Sequence, residues 1–230
     1  MERLKEEHLS VDLLKELFEY HEDGYLVWKH RPSSHFVEVA DTNRFNTSNS
    51  GNRVGYFNKR TDSKKVGFGY WKAVISLNGK GLSKGYFKVH RLIYAIHHGY
   101  FPPIVDHKDG DTNNNCISNL REVTSQQNGW NSEKPVSNVT GYKGVSYSNA
   151  KNRVKRYRAS LSRGHHNFFL GFYHTAEEAA YAFNIAVVYI NPHYCRLNEL
   201  PENQSFTLSG KFFNEVLPKI KDGSFDWEGA

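Results

Sequence analysis

The stretch VDHKDGDTNNNCISNLREVTSQQN, residues 105–128, decides how the central part of this 230-residue chain is expected to fold. Val105 to His107 is a short apolar entry that ends in two polar residues, and Lys108 to Ser118 has the Asp, Asn and Gly content of a loop. Leu120 to Val123 can return antiparallel to the entry segment. Thr124 is then a plausible N-cap for a short helix that ends the stretch. The predicted order is therefore strand, polar loop, strand and helix.

Four positions in this stretch have residue types that suit the hydrolysis of a phosphodiester bond. Asp106 offers a carboxylate oxygen and Asn128 an amide oxygen, and this short ligand set leaves most of a Mg-like coordination sphere to water and phosphate. His107 can take a proton from water near neutral pH. Asn119 could orient His107 through its side-chain amide. The simpler alternative is a loop that only makes turns, but the full spacing is hard to obtain by accident.

With this spacing the chain resembles the HNH endonucleases, the ββα-metal family of phage and intron homing enzymes. Their first His matches His107, their central Asn matches Asn119, and the last position, often His, is Asn128 here. The resemblance is to the H-N-N variant, in which an amide should favour Mg or Mn over softer metals. The segment KVHRLIYAIHHGYFPP, residues 88–103, resembles the helix before the motif in phage members, and LFEYHEDGYLVWK, residues 17–29, resembles their N-terminal module.

Composition agrees with a polyanionic partner. Thirty Lys and Arg against 24 Asp and Glu give a net charge of +6, which favours nucleic acid, although basic proteins without such a partner are common. Cys116 and Cys195 are far apart and form no CxxC pair, so neither a zinc site nor a disulfide framework is expected. No apolar run has the length of a membrane span, and the N-terminus is charged. We expect a cytoplasmic protein, in the bacterial host if the source is a phage, with no membrane and no protein partner evident.

A second informative region runs from Gly141 to Leu200. It begins with strands punctuated by Gly, and in RYRASLS, residues 156–162, apolar and polar side chains alternate. This alternation predicts a strand with one packed face and one wet, basic face. Thr175 and Glu178 form a capping box at the start of an Ala-rich helix that can lie close on the sheet.

The segments YKGVS, YRASL, FFLGFYHTAEEAAYAFN and LNEL make this region resemble the plant APETALA/ethylene-response-factor DNA-binding domain. In that family a three-stranded sheet enters the major groove. The resemblance implies a set of DNA-facing residues: Ser146, Ser148, Arg156, Arg158, Ser160, Ser162, Asn167 and Phe169. Because Ser stands at several positions where plant members have Arg or Glu, the family's target sequence is not carried over. The alternative for Arg156 and Arg158 is a solvated sheet face.

These observations predict an α+β protein with two functional domains. The expected segments are a helix-hairpin and basic loop region at 1–66, an HNH nuclease domain at 67–130 with the ββα-metal fold, a linker at 131–140, an APETALA-like domain at 141–200 with a three-stranded antiparallel sheet packed on one helix, and a tail at 201–230.

The predicted function is site-specific cleavage of double-stranded DNA by a metal-dependent endonuclease of homing type. His107 would be the general base beside one divalent ion, and Arg121 or Arg91 would add charge stabilisation. The alternative is a non-catalytic DNA-binding regulator with a decayed HNH unit, against which the four motif residues argue. RNA binding has less support because no aromatic pair is arranged as a base-stacking platform.

Overall fold

The protein is a mixed α+β chain that folds into two compact units. The structure, a computed structural model, describes residues 1–59, 69–132, 138–152, 154–163, 166–190 and 192–222. Unit 1 is Met1–Thr124 and unit 2 is Ser125–Ala230. The predicted boundary between residues 66 and 67 lies outside the described residues, as do residues 133–137 of the predicted linker. Among the described residues, no helix is long and apolar enough to cross a membrane.

Unit 1 is built from short strands, three α-helices and short 3-10 turns in its described residues. Its strands are β1 (Glu2–Arg3), β2 (Phe18–His21), β3 (Tyr25–Trp28), β4 (Tyr56–Lys59), β5 (Gly69–Leu77), β6 (Leu82–Lys88), β7 (Val105–His107) and β8 (Leu120–Glu122). Its α-helices are α1 (Val11–Leu17), α2 (Val39–Asn49) and α3 (Val89–His98). Short 3-10 turns lie at Glu6–His8, Ser33–His35, Asn78–Lys80 and Ile117–Asn119.

The strands of unit 1 form one four-stranded sheet and two hairpins. The sheet has the order β1-β6-β5-β4, in which β1 runs parallel to β6 and the other neighbours are antiparallel. Asn78 and Gly79, a residue pair typical of hairpin turns, begin the 3-10 turn between β5 and β6. The pairs β2-β3 and β7-β8 are the two antiparallel hairpins.

Local sequence signals explain where the elements of unit 1 begin. Ser10 caps α1, since its Oγ accepts a hydrogen bond from Leu13 N at 3.2 Å, which satisfies an unpaired amide of the first turn. The helix then buries Leu14 and Leu17 completely. They belong to one hydrophobic core that also includes Ile75 of β5, so the N-terminal residues and the strands after residue 68 share a core.

The β2-β3 turn supports the loop between β7 and β8. Gly24 has φ of +80°, and a Cβ at this position would lie 2.4 Å from the backbone nitrogen of Cys116. The Tyr20 hydroxyl accepts a hydrogen bond from Ile117 N at 3.1 Å. Only Gly permits both this backbone angle and this close approach without strain. The N-terminal hairpin therefore fixes the position of the motif loop.

Unit 2 contains a three-stranded sheet covered by helices. It consists of α4 (Ser125–Asn131), β9 (Val145–Tyr147), β10 (Tyr157–Arg163), β11 (His166–Tyr173), α5 (Ala176–Ile190), a π-helical turn (Phe212–Val216) and α6 (Leu217–Asp222). The antiparallel strand order is β11-β10-β9, and α5 contacts all three strands. The predicted capping box is confirmed by hydrogen bonds from Glu178 N to Thr175 Oγ1 and from Thr175 N to Glu178 Oε2.

The short helix α4 is fixed to the body of unit 2 by its C-terminal end. Lys143 Nζ donates to the carbonyl oxygens of Gly129, Trp130 and Ser132 at 3.0, 2.6 and 2.6 Å. The Trp130 indole donates to Ser162 O at 3.1 Å, and its ring packs against the core of the unit. A lysine at this position satisfies carbonyls that a helix leaves unpaired at its C-terminus.

Candidate active site

His107 is held by a neighbour within the motif loop. Its Nε2 lies 2.9 Å from Asn115 Oδ1. With the amide oxygen as acceptor, Nε2 carries the hydrogen and the lone pair of the neutral imidazole is on Nδ1. Both side chains are buried, and only 1% of the surface of Asn115 is exposed. This pair fixes both the position and the tautomer of the ring.

The burial of His107 is completed by two aromatic rings. The centroids of His90 and His107 are 4.9 Å apart in an edge-on arrangement, and Tyr70 lies 5.3 Å from His90 and 6.3 Å from His107. Burial lowers the pKa of His107, although the hydrogen bond to Asn115 opposes this shift. Burial lowers the pKa of His90 well below its usual value, and the charge of a protonated His107 would lower it further. A neutral imidazole can accept a proton, so the environment suits a general base.

Asp106 precedes His107 on β7 and is bound by Arg121 on the paired strand. Arg121 donates from Nε at 3.0 Å and from a terminal nitrogen at 2.9 Å to Oδ2 of the carboxylate. The two residues are direct partners in the β7-β8 register. Arg121 therefore lies at the predicted site, and its described contact is with the proposed metal ligand.

The described hydrogen bonds of Asn119 do not include His107, which corrects the expected orienting role. Its Nδ2 donates to Asp109 Oδ1 at 2.9 Å and to Asn114 O at 2.8 Å, and its Oδ1 accepts from Asp109 N at 3.2 Å. Both ends of the amide are occupied by the turn that follows β7. Asn119 thus shapes the loop, while Asn115 orients the imidazole.

Arg91, the alternative to Arg121 as a source of positive charge, is occupied elsewhere. It pairs with both carboxylate oxygens of Glu6, at 2.6 and 2.7 Å, and donates to the carbonyls of Pro102 and Pro103. This bidentate ion pair, together with the hydrogen bonds to backbone carbonyls, holds the guanidinium in place. Arg91 therefore ties the N-terminal residues of unit 1 to the segment before β7.

Asn128, the second predicted metal ligand, lies on α4 in unit 2 and is exposed. The helix ends three residues later, at Asn131, where Lys143 binds its carbonyls. Burial lowers the pKa of Lys143 to about 8. The position of Asn128 within unit 2 therefore depends on a partly buried lysine of the same unit.

The predicted DNA-facing residues of unit 2 occur on one side of its sheet. Arg158 pairs with Ser146, Ser160 with Phe169, and Ser162 with Asn167, so these six residues share a face. Arg156 and Ser148 flank the strands at the same end, joined by a backbone hydrogen bond of 2.8 Å. The opposite side buries Val145, Ala159, Leu161, Phe168 and Leu170. The alternation predicted for β10 is therefore confirmed.

Aromatic residues lie beside both predicted arginines, and two of these, Phe172 and Tyr147, were not predicted. The Arg158 guanidinium lies 5.5 Å from the centroid of Phe169, which in turn packs against Phe172. The Arg156 Nη1 donates to the Tyr147 hydroxyl at 3.0 Å. Both Arg side chains are thus held against aromatic residues, which orients their charges.

Comparison with known proteins identifies the central motif. The family model for the HNH endonuclease matches residues 87–130. These residues are similar to an HNH endonuclease domain. Protein 3.8 of Escherichia phage T7 is 36% identical over 70 residues, which cover 30% of this chain and 54% of that protein. The chain thus spans about half the length of this curated relative. No solved structure matches the chain.

The family match suggests endonuclease activity on DNA, and HNH nucleases generally use a divalent metal. The donors proposed from the sequence, one carboxylate and one amide oxygen, are the hard oxygen ligands that such an ion prefers. The family match does not extend to residues 141–200. The APETALA-like nature of that region therefore stays a prediction.

Asn115 and His90 are the site residues that the sequence did not single out. Asn113, Asn114 and Asn115 follow one another in the loop, and no local signal distinguishes the one that turns toward the imidazole. His90 lies at the start of α3 and is 3% exposed. Its place in a segment that resembles the helix before the HNH motif is the signal that could have drawn attention to it.

Proposed function

We propose that this protein is a metal-dependent DNA endonuclease of homing type. The observation that carries the proposal is the buried His107–Asn115 pair beside Asp106, within residues that match the HNH endonuclease family. A buried, neutral and oriented imidazole next to a carboxylate is the arrangement needed to remove a proton from water beside a bound cation.

His107 would act as the general base through Nδ1. Because Nε2 donates to Asn115, the basic nitrogen is Nδ1, and a water molecule in contact with it would lose its proton as it attacks the phosphorus atom. Asn115 would keep the tautomer and the ring orientation constant during this step. His90 and Tyr70 enclose the imidazole and favour its neutral form.

Asp106 would hold one Mg or Mn ion through a carboxylate oxygen, and the sequence predicts Asn128 as a second ligand. When bound, this ion would supply stabilisation of the charge that grows on the phosphate and on the leaving 3′ oxygen. Arg121 would hold the Asp106 carboxylate in a fixed orientation through its two hydrogen bonds.

Unit 2 would supply the recognition of double-stranded DNA through the exposed face of its sheet. Support comes from the arrangement of Ser146, Arg158 and Ser160 on one face whose reverse side is packed on α5. The sequence resemblance to the APETALA/ethylene-response-factor domain adds to this support. The arginines would bind phosphate or guanine, while the serines add contacts of low sequence selectivity.

A plasmid-nicking assay tests the proposal. Purified full-length protein is incubated with supercoiled plasmid in Mg, in Mn and in EDTA, and the His107→Ala variant serves as the matched control. Cleavage that needs the metal and falls about 100-fold or more in the variant is expected for a general base. Cleavage in EDTA would exclude the metal-dependent mechanism. DNA binding by the wild-type protein without cleavage in either metal would favour the non-catalytic regulator.

A further inference from the structure

The four-stranded sheet of unit 1 has a basic and aromatic outer face. Direct pairing across the strands places Tyr56, Lys72 and Lys88 in one row, Asn58 beside Tyr70, and Val74 beside Tyr86. Lys84 joins the same face, since its Nζ lies over the Tyr86 ring at 5.5 Å from the centroid. We call this surface the lysine–tyrosine face, and it consists of Tyr56, Asn58, Tyr70, Lys72, Val74, Lys84, Tyr86 and Lys88.

The two sides of this sheet differ sharply in chemistry. The inner side carries Ala73, Ile75, Leu77 and Phe87, which are buried in the core of unit 1. On the outer side Tyr56 and Tyr86 are 45% and 49% exposed, and Lys84 and Lys88 are exposed as well. The sequences of the three strands β4, β5 and β6 contain no Asp or Glu. The charged side chains that these strands contribute to the face are therefore all positive.

The lysine–tyrosine face is continuous with the candidate active site. Tyr70 belongs to the face and lies 6.3 Å from the His107 ring, measured between centroids. Lys88 lies 4.3 Å over the Tyr70 ring and immediately precedes α3, the helix that brings His90 to His107. A polyanion bound along this face would reach the residues proposed to cut it.

We propose that the lysine–tyrosine face binds the phosphate backbone of duplex DNA next to the bond that is cut. This inference rests on the proposed endonuclease function and adds a second DNA contact surface, in the unit that holds His107. Lysines bind phosphate as mobile point charges, and tyrosine hydroxyls donate hydrogen bonds to phosphate oxygens. The contact would position the DNA without reading its sequence.

The occupant is DNA rather than another polyanion because of where the face lies. A surface that joins the residues proposed to hydrolyse DNA must face the same substrate when it is bound. The charges come as separate lysines spread across the sheet, which suits the spaced phosphates of a duplex. Backbone contacts of this kind add affinity that depends steeply on salt.

The test compares three variants of the full-length protein, each with three lysines replaced. The first variant, Lys72→Gln with Lys84→Gln and Lys88→Gln, removes the charge of the face. The control variant, Lys15→Gln with Lys29→Gln and Lys80→Gln, removes the same charge from exposed lysines elsewhere in unit 1. A third variant replaces the three face lysines with Arg. The probe is a labelled duplex of random sequence, titrated in EDTA by fluorescence anisotropy at several salt concentrations.

The face variant should bind at least tenfold more weakly at physiological salt. The slope of log K against log salt should fall by about 0.9 for each phosphate that the variant no longer neutralises. The control and the Arg variant should resemble the wild type. Melting temperatures establish that all variants fold. Equal affinity and slope in the face variant and the wild type would overturn the inference, and so would an equal loss of affinity in the control variant.

A further comparison separates this inference from the proposed function. If the wild-type protein cuts plasmid but the face variant binds duplex DNA normally, only the face inference fails. If the wild-type protein neither binds nor cuts DNA, the proposed function fails with it. Tighter binding to an RNA duplex than to the DNA duplex, abolished in the face variant, would overturn the choice of DNA as the occupant.

Discussion

His107 Nε2 and Asn115 Oδ1 lie 2.9 Å apart in the interior of the motif loop. The amide nitrogen of Asn115 is also buried, and no hydrogen-bond partner for it occurs among the described residues. An unsatisfied buried donor costs about 1–3 kcal/mol, and such a cost in a native fold calls for an explanation. The requirement to orient His107 supplies one.

Substitutions at Asn115 should separate orientation of the base from folding. Asn115→Ala removes the acceptor for His107 Nε2 and should lower the single-turnover cleavage rate by about 10-fold to 100-fold, the usual cost of losing a partner that orients a functional histidine. Asn115→Asp keeps an acceptor at this place and should cut faster than the Ala variant. DNA affinity should not change in either.

Asn113→Ala is the control for this experiment, because Asn113 is an exposed residue of the same loop. Its rate should equal that of the wild type. Equal rates in Asn115→Ala and wild-type protein would show that the hydrogen bond to His107 has no role in the reaction.

The pair Asp106 and Arg121 predicts two different losses of activity. Asp106→Ala removes the carboxylate proposed to bind the metal, so cleavage should be lost and excess Mg or Mn should restore it poorly. Arg121→Ala leaves the carboxylate in place without its partner, so cleavage should fall but recover in part at high metal concentration. Metal titrations of the cleavage rate measure both effects. Full recovery of Asp106→Ala in excess metal would remove Asp106 from the ligand set.

The elements with strong local signals could be predicted from the sequence. The β7-β8 hairpin follows from apolar residues on either side of a loop rich in Asn and Asp, and α5 from the capping box at Thr175 and Glu178. The face of β10 follows from strict alternation. Each of these signals is contained within a few neighbouring residues, which is why it survives without knowledge of the tertiary structure.

Contacts between distant residues could not be predicted. Asn115 and Asn119 have the same side chain in the same loop, and only the tertiary path of the loop decides which one meets His107. The assignment of α4 to unit 2 likewise depends on Lys143 and Trp130, whose partners are set by packing rather than by a local pattern. The sequence therefore indicated which segments form the site, while packing between distant residues determined the contacts of each side chain.

The stability of unit 1 should fall in mild acid because of His35, which is fully buried between Arg31 and Glu16. Burial lowers the pKa of His35, and the charges of Arg31 and, more weakly, Lys80 lower it further while Glu16 opposes them. The folded state therefore binds fewer protons than the unfolded chain below pH of about 6.5, the usual histidine pKa. The contribution of neutral His35 to the free energy of unfolding is complete above that pH. It is lost as the pH falls through the lowered pKa of the folded state.

Urea unfolding between pH 7.5 and 5.5 measures this effect. In the lower half of this range, His35 contributes up to about 1.4 kcal/mol per pH unit to the slope of the unfolding free energy. His35→Gln keeps an acceptor for Arg31 and should give a flatter profile, whereas His21→Gln, at an exposed site in the same unit, should not. Equal slopes for wild type and His35→Gln would show that His35 is not the proton-linked group.

Substitutions on the sheet face of unit 2 should lower the affinity for DNA without lowering the rate of cleavage. Arg156→Ala with Arg158→Ala removes two positive charges from the face proposed to bind DNA, so half-maximal cleavage should need more DNA and the salt slope should fall by about 2. The saturating single-turnover rate should change little. Lys211→Ala with Lys219→Ala removes the same charge from the exposed surface of another part of unit 2 and is the control. Unchanged affinity and salt slope would show that this sheet face does not contact DNA.

Lys143 should control the order of α4 and thereby the role proposed for Asn128, which lies on this helix. A helix of seven residues is unstable by itself, and here its C-terminal carbonyls are held by Lys143 Nζ at 2.6 to 3.0 Å. Lys143→Met keeps most of the side-chain volume but loses these hydrogen bonds, so the amides of Ser125–Asn131 should exchange with deuterium faster and metal-dependent cleavage should fall. Lys151→Met, at an exposed site of the same unit, should leave both unchanged. Wild-type exchange in α4 of the Lys143→Met protein would show that Lys143 does not anchor this helix. Faster exchange with normal cleavage would instead show that Asn128 does not need the anchored helix to serve the reaction.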